Sequence, residues 1–483
     1  MTYLQGADFA SLASSLDQAR LLVVGDAMLD RFVAGTVERI SPEAPIPILR
    51  VERRAEMPGG AGNVVANLLA LGARVAFVAV VGDDEAGRVL AGFPDERLER
   101  ALVVEPGRPT TVKTRFVAGT QQLLRIDEET TTAISPASED AVLRAVENNL
   151  KQAGAVILSD YGKGVLTPRV CQGIIKLARA AKVPVLVDPK GADYTRYDGA
   201  TAVTPNRREL EQATGRVARH DDEVEAAARS LIAKHHFDAL IATRSEQGLS
   251  VVRATDAQHI PARAREIFDV SGAGDTVMAT LAAAVATGAS LTDAAALANA
   301  AGGVAVAKPG TATVSRDELV HALELHDETK FLARDGAAGR VETWRRRGLK
   351  VAFTNGCFDI LHPGHVHLLR QARATADKLI VGLNSDASVK RLKGPARPVN
   401  DERARAQVLA SLADVDAVVV FEEDTPLQLL DALHPDVLVK GADYTIEQVV
   451  GADLVQSYGG KVVLAELVPD QSTTKTIARM AKK

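Results

Sequence analysis

The chain has 483 residues, 46% hydrophobic and 25% charged, with a formal net charge of −5 at pH 7. These totals fit a soluble globular protein of roughly two or three domains, and the acidic excess argues against a nucleic-acid partner. Cys171 and Cys357 are far apart and suggest no disulfide framework. No apolar run is long enough to span a bilayer. The opening Met-Thr-Tyr-Leu-Gln-Gly lacks the charged-then-apolar build of a signal peptide, so a cytoplasmic protein with no membrane partner is expected. A single Trp and abundant Ala, Val and Leu fit a layered α/β architecture.

Leu21 to Val24 reads as a strand closed by Gly25-Asp26. Asp26 and Asp30 would follow its carboxyl end, where open α/β sheets bind ligands; a helix cap or surface turn is the plainer reading. Arg31 to Val51 and Thr110 to Asp127 are rich in β-branched residues and read as strands, with Pro42, Pro45 and Pro47 confined to edges or bends. Between them, Pro58-Gly59-Gly60-Ala61-Gly62-Asn63 opens a helix expected over Val64 to Leu71. Its glycines allow close backbone approach to a ligand, and Asn63 can both donate to and accept from a hydroxyl. Simple packing of helix on sheet would also use them.

From Ala153 a strand-turn-helix rhythm repeats. Strands lead to Asp160-Tyr161-Gly162-Lys163-Gly164, Asp188-Pro189-Lys190-Gly191, Pro205-Asn206-Arg207-Arg208-Glu209 and Thr243-Arg244-Ser245-Glu246-Gln247-Gly248. Such clusters converge on one rim of a parallel sheet, where Lys163 and Lys190 can meet phosphate as point charges. Asn206 with Glu209 can equally be a helix-start Asn and its capping Glu. Asp269-Val270-Ser271-Gly272-Ala273-Gly274-Asp275 then precedes an Ala-rich helix expected over Thr276 to Thr287. Unpaired N–H groups and the helix dipole favour an anion at that start. A carboxylate there makes sense as a base that takes a proton from an attacking hydroxyl; the plain alternative is a glycine turn with Asp as N-cap.

These stretches resemble the ribokinase (PfkB) family of carbohydrate kinases over about residues 20 to 325, with Val270 where the family usually has Thr. The resemblance implies a three-layer α/β domain, here residues 1–330, in which Arg31 to Val51 and Thr110 to Asp127 form a β-lid over the sugar site; an extended apolar lid needs a partner surface, so a homodimer through it is expected. It implies ATP and Mg²⁺, with Asp275 as base. Gly272, Ala273, Gly274, Asn206, Arg207, Arg208, Glu209, Thr243, Ser245, Gly248 and Asn299 would lie on ATP, and Glu209 would hold Mg²⁺ through water. Asp26, Asp30, Gly59, Gly60, Asn63, Lys163 and Lys190 would lie on the sugar. Ser245 stands where the family commonly has Gly.

Asp327 to Arg340 mixes charge with Gly and Ala, and a linker is expected over 331–347. Trp344-Arg345-Arg346-Arg347 reads as a solvated helix end rather than a nucleic-acid patch. The pattern restarts at Val351 to Phe353 and runs into Thr354-Asn355-Gly356-Cys357-Phe358-Asp359-Ile360-Leu361-His362-Pro363-Gly364-His365. Pro363 suits a first helical turn. His362 and His365, three apart, can reach the same side of a helix start that suits a polyphosphate. Zinc on Cys357, His362, His365 and His367 is a poorer match to known spacings.

This part, residues 348–483, resembles the nucleotidyltransferase superfamily with its His-x-Gly-His motif on a Rossmann-like domain. The resemblance implies that His362 and His365 stabilise the transition state. Asn355, Gly356, Phe358, Asp359, Lys393, Lys440, Gly441, Asp443, Ser472, Thr473 and Thr474 would contact the nucleotide. The two parts in this order resemble bifunctional heptose-phosphate kinases and heptose 1-phosphate adenylyltransferases, which implies sugar phosphates and ATP as small-molecule partners. The same architecture could serve another sugar phosphate, or persist as a degenerate sugar-phosphate sensor.

Overall fold

A computed structural model describes residues 9–119, 121–262, 268–308, 310–326, 330–346, 348–442 and 445–466, the side chains of Glu324–His326 excepted. The chain divides into two compact units between Leu323 and Glu324.

The first unit is built on a nine-stranded sheet and a four-stranded one. In chain order the strands are β1 (Arg20–Gly25), β2 (Ala27–Ile40), β3 (Pro47–Gly60), β4 (Arg74–Val81), β5 (Leu98–Val104), β6 (Thr111–Ala118), β7 (Gln121–Glu128), β8 (Ala155–Ser159), β9 (Val185–Asp188), β10 (Ala202–Val203), β11 (Ala239–Thr243), β12 (Leu249–Val252) and β13 (Ala257–Ile260). The large sheet runs β13-β12-β11-β10-β9-β8-β1-β4-β5. It is parallel from β11 to β5, with β12 and β13 added antiparallel. Both faces are covered, which is why β1 is an unbroken apolar run from Leu21 to Val24: Leu21 and Val23 enter one core, Leu22 and Val24 the other. Helices Ala61–Ala70, Ala273–Ala286 and Leu291–Ala305 supply the first core; Pro136–Leu150, Pro168–Ala181 and Asp221–His235 supply the second. Winding reverses between β1 and β8, where Gly25 lies opposite Ser159. The carboxyl ends there form the crevice that such sheets use for ligands.

The small sheet runs β3-β2-β6-β7. It is continuous with the crevice, because only Asp26 separates β1 from β2, and β3 passes through Gly60 directly into helix Ala61–Ala70. Pro58-Gly59-Gly60 are therefore the end of a strand, and the helix begins before the expected Val64. Gly59 is needed at that point, since a Cβ would come within 2.2 Å of Asp30 Oδ2.

The second unit carries a six-stranded, wholly parallel sheet. Its strands are β14 (Phe331–Leu332), β15 (Val351–Gly356), β16 (Lys378–Asn384), β17 (Ala417–Phe421), β18 (Val437–Gly441) and β19 (Lys461–Ala465), in the order β14-β17-β16-β15-β18-β19. Winding reverses between β15 and β18, again placing a crevice at strand ends. Val351 and Phe353 enter one core, Ala352 the other. The stretch expected as a linker over 331–347 is instead part of this unit. Phe331 and Leu332 pair with Val418 and Val419, and helix Arg334–Arg346 buries Ala337 and Val341 against the sheet. Apolar residues four apart put both on one helix face, a signal masked by the surrounding Gly, Ala and Arg. Trp344 packs on the same core, with the Lys378 ammonium 5.6 Å from its ring centre.

Candidate active sites

In the first unit, Asp275 sits in the opening turn of helix Ala273–Ala286, which starts three residues ahead of the expected Thr276. Gly272 caps it with φ +76°, a left-handed conformation that suits glycine. A Cβ at Gly272 would crowd Asn63 and Thr311, whereas one at Gly274 would meet nothing within 4 Å. The turn thus has one packed flank and one open flank. Asp269 fixes its approach, accepting from the Ser271 N–H (2.8 Å) and the Gly310 N–H (3.0 Å).

Asp275 is 8% exposed. Asn63 Nδ2 donates to one of its oxygens (2.6 Å) and the Tyr161 hydroxyl to the other (2.6 Å). Burial pushes its pKa up to about 6; the two donors pull it down and the nearby Asp30 carboxylate raises it further. A carboxylate titrating there is matched to general-base work near neutrality. Asn67 bonds Thr276 Oγ1 (2.9 Å), so helices Ala61–Ala70 and Ala273–Ala286 are joined by two polar contacts beside the base.

The other expected sugar contacts divide. Asp30 is buried and paired with Arg115, whose guanidinium lies over the Phe32 ring. Asp26 does not face the crevice as a ligand would: it accepts from the backbone N–H groups of Tyr161 (2.9 Å), Lys163 (3.0 Å) and Val165 (3.1 Å). It is 1% exposed and shapes the loop that carries Tyr161. Lys163 pairs with Glu129 (2.8 Å), which Lys113 also reaches (3.0 Å). Gly60 turns the chain at φ +57°.

Among the expected nucleotide contacts, Asn206 caps helix Arg207–Thr214. It accepts from the Glu209 N–H, and Glu209 accepts from the Asn206 N–H, both at 3.0 Å. The capping reading is therefore realised, and the free edge of Glu209 lies 3.4 Å from Lys190. Arg207 and Arg208 occupy the first turn of that helix. Thr243 ends β11 beside Asn206. Ser245 adopts φ +50°, so the residue that replaces the family's Gly keeps a glycine-like conformation. Gly248 has φ +87°, and a Cβ there would come within 2.0 Å of the Ile260 carbonyl. Asn299, expected near adenine, is buried and donates to the Pro261 carbonyl (2.7 Å), so its amide braces the segment after β13. Asp188, quoted in sequence only as a strand end, stands among Asp275, Glu209 and Asp160. Burial and these like charges hold its carboxyl well above the usual range.

In the second unit, His362 caps helix Pro363–Ala374 and Pro363 takes its first position. The His362 and His365 rings stack with centroids 3.9 Å apart, and Phe358 backs His365 at 5.0 Å. Burial pushes the His365 pKa down to about 4, assisted by His362; burial also lowers His362. Both rings are thus neutral at pH 7, and both Nδ1 atoms are buried with no hydrogen-bond partner. Thr354 Oγ1 and Asn355 Oδ1, on the adjoining strand end, are in the same condition. Two unpaired ring nitrogens at one helix start are what a polar ligand would satisfy. Stacked rings do not converge on one point, and among the described residues no group of three or more His, Cys, Asp or Glu is arranged to hold a metal.

Lys440 reaches the Asn355 carbonyl (3.1 Å) from β18, with Gly441 closing that strand. Gly356 and Phe358 form the turn, Phe358 at φ +43°. Lys393 is exposed at the end of helix Asp386–Lys393. Asp359 is 2% exposed; it accepts from the Val399 N–H (2.7 Å), the Asn400 N–H (3.2 Å) and Arg397, so it anchors a loop rather than presenting its carboxylate. Asp443, Ser472, Thr473 and Thr474 lie outside the described residues. Sequence reasoning missed Arg405. Its buried guanidinium donates to the carbonyls of Cys357 (2.6 Å), Asn384 (2.9 Å) and Asn400 (3.0 Å) and to Asp386 (2.6 Å).

Comparison with known proteins accords with this geometry. A model described as pfkB family carbohydrate kinase matches residues 18–318, and one described as Cytidylyltransferase-like matches 353–479. Phosphofructokinase-2 from Escherichia coli shares the first fold (TM-score 0.52, 18% identity, 64% of this chain and 98% of that one). The fold and the two sites define a bifunctional carbohydrate kinase and nucleotidyltransferase. Bifunctional protein HldE of Paramagnetospirillum magneticum is 58% identical over 98% of this chain and 99% of its own length. That of Rhodospirillum rubrum is 55% identical over 98% and 96%. The chain belongs to the pfkB family of carbohydrate kinases and, over nearly its whole span, to the family of these Bifunctional protein HldE sequences.

Proposed function

We propose that the chain catalyses two steps of ADP-heptose synthesis, in keeping with a role in the cytoplasm. The first unit phosphorylates the anomeric hydroxyl of D-glycero-β-D-manno-heptose 7-phosphate with ATP. The second joins AMP from ATP to heptose 1-phosphate and releases pyrophosphate. The observation that carries the kinase step is Asp275: a buried carboxylate at a helix start, held by two donors, with open space over Gly274. Asp275 takes the hydroxyl proton while the amides of Gly272 to Gly274 receive the transferring phosphoryl. Asp30 and Asn63 orient the sugar. Asn206, Arg207, Arg208, Glu209 and the Thr243 to Gly248 loop hold ATP. The heptose assignment rests on the likeness to the Bifunctional protein HldE sequences over nearly the whole chain.

The crowded carboxylates fit Mg²⁺. Asp188 and Glu209 would hold it, with water and phosphate oxygens completing its shell, since no three-donor cage exists among the described residues. Bound there, it would neutralise phosphate charge.

In the second unit the attacking sugar phosphate is already an anion, so no base is needed. His362, His365 and Lys440, with Asn355 and the Gly356 turn, stabilise charge on the α- and β-phosphates. The test is product analysis by mass spectrometry with heptose 7-phosphate, ATP or CTP, and a phosphatase. ADP-heptose is the expected product. Turnover only with a different sugar phosphate would overturn the heptose assignment, and no turnover at all would leave a binding protein. We also propose a homodimer through the lid, whose Val37, Ile40, Ile46, Val51, Leu124 and Ile126 are exposed.

A further inference from the structure

We infer that Tyr161 is a positioning residue of the kinase site: its hydroxyl holds the Asp275 carboxylate in its ionised form and fixes the direction in which that carboxylate accepts a proton. The inference rests on the reading of Asp275 as the base.

Three contacts converge on this role. The hydroxyl donates to Asp275 Oδ1 at 2.6 Å, while Asn63 Nδ2 occupies Oδ2 at 2.6 Å. Each oxygen thus has one fixed donor, and the remaining lone pairs are the only ones open to a substrate hydroxyl. The tyrosine is not a loose side chain, because its own N–H is bonded to Asp26, which also gathers the N–H groups of Lys163 and Val165. Asp26 is therefore an indirect support of the base through the loop.

Charges from every neighbouring element set the balance. Asp30 on β2 raises the affinity of Asp275 for a proton, although Arg115 on β6 pairs with Asp30. Asp188 on β9 and Asp275 interact unfavourably, with Glu209 and Lys190 beyond it. Burial acts in the same direction as these acids. Against them, among the described residues, Asp275 has two donors, Tyr161 and Asn63, and both favour the charged form. The tyrosine cannot compete as the proton acceptor, since burial, and after it the same carboxylates, hold its own pKa well above the ordinary value. Removing its hydroxyl leaves the carboxylate buried with one donor fewer.

The experiment is the pH profile of kcat for sugar phosphorylation in the full chain, parent against Tyr161→Phe, with Asp275→Asn alongside. Tyr161→Phe keeps the ring and the backbone bond to Asp26. The acidic limb should move up by about one pH unit, with a roughly tenfold loss at pH 6 that recovers to within about threefold at pH 9. Asp275→Asn should be inactive at every pH. A uniform loss across the range, with the limb unmoved, would overturn the role of Tyr161 while leaving the base intact. Activity retained by Asp275→Asn would overturn the reading of the base itself. An unchanged circular-dichroism spectrum with a single cooperative unfolding transition is the control for folding.

Discussion

Asp275 meets two opposing demands. Burial makes it basic enough to accept a proton near neutral pH, and the same burial penalises its charge. In the folded chain its pKa stands at about 6, above the ordinary 3.8. The folded form therefore binds this proton more tightly, and the group favours folding more as pH falls from about 6 toward 3.8. At pH 7 the ionised form is a cost, so Asp275→Asn should be inactive as a kinase yet at least as resistant to urea as the parent. The parent kinase rate should fall as pH drops through about 6. Arg405 is the opposite case, a buried charge used wholly for structure. Arg405→Ala strands three carbonyls and Asp386, for a loss of about 2–4 kcal/mol, the lower part of the range because Asp386 reaches water. Chemical denaturation would measure it, and kinase activity should persist. The placement of Asp275 at a helix start and the pairing of His362 with His365 were legible in sequence because each stands in a rigid local motif. Tyr161, Arg405 and the inward turn of Asp26 were not, because their roles depend on partners elsewhere in the fold, up to 139 residues away in sequence.

Elements explain where expectation and structure part. Helix starts were read late at Thr276 and Val64, because glycines suggested loop where the chain is already helical or still in a strand. Asn206 and Glu209 satisfy each other as a cap, while the second oxygen of Glu209 lies 3.4 Å from Lys190, so the structural reading of the pair is realised without using up the Glu209 carboxylate. The lid was visible as β-branched alternation, although its strands reach further than expected, back to Ala27 and on to Gly60. Its pairing, with β2 parallel to β6 and antiparallel to β3, comes from contacts across the fold. If the lid is the dimer surface, the double variant Leu124→Lys, Ile126→Glu should sediment as a monomer at concentrations where the parent is a dimer. An unchanged sedimentation coefficient would place the interface elsewhere.

At the scale of the whole chain, each of the two units has its own main sheet, its own pair of cores and its own crevice. His365→Ala should abolish nucleotidyl transfer and leave phosphorylation intact, the reverse of Asp275→Asn; loss of both activities in a folded variant would contradict independent sites. The short strand Phe331–Leu332 and the helix after it carry a practical consequence for anyone dividing the gene. A C-terminal fragment begun at residue 348 loses the neighbour of Val418 and Val419 and the cover that Ala337 and Val341 provide, leaving a bare strand edge over an open apolar face. Begun at residue 324, the fragment keeps both. The shorter piece should precipitate on expression and the longer one stay in solution, so the place to cut lies ahead of Phe331.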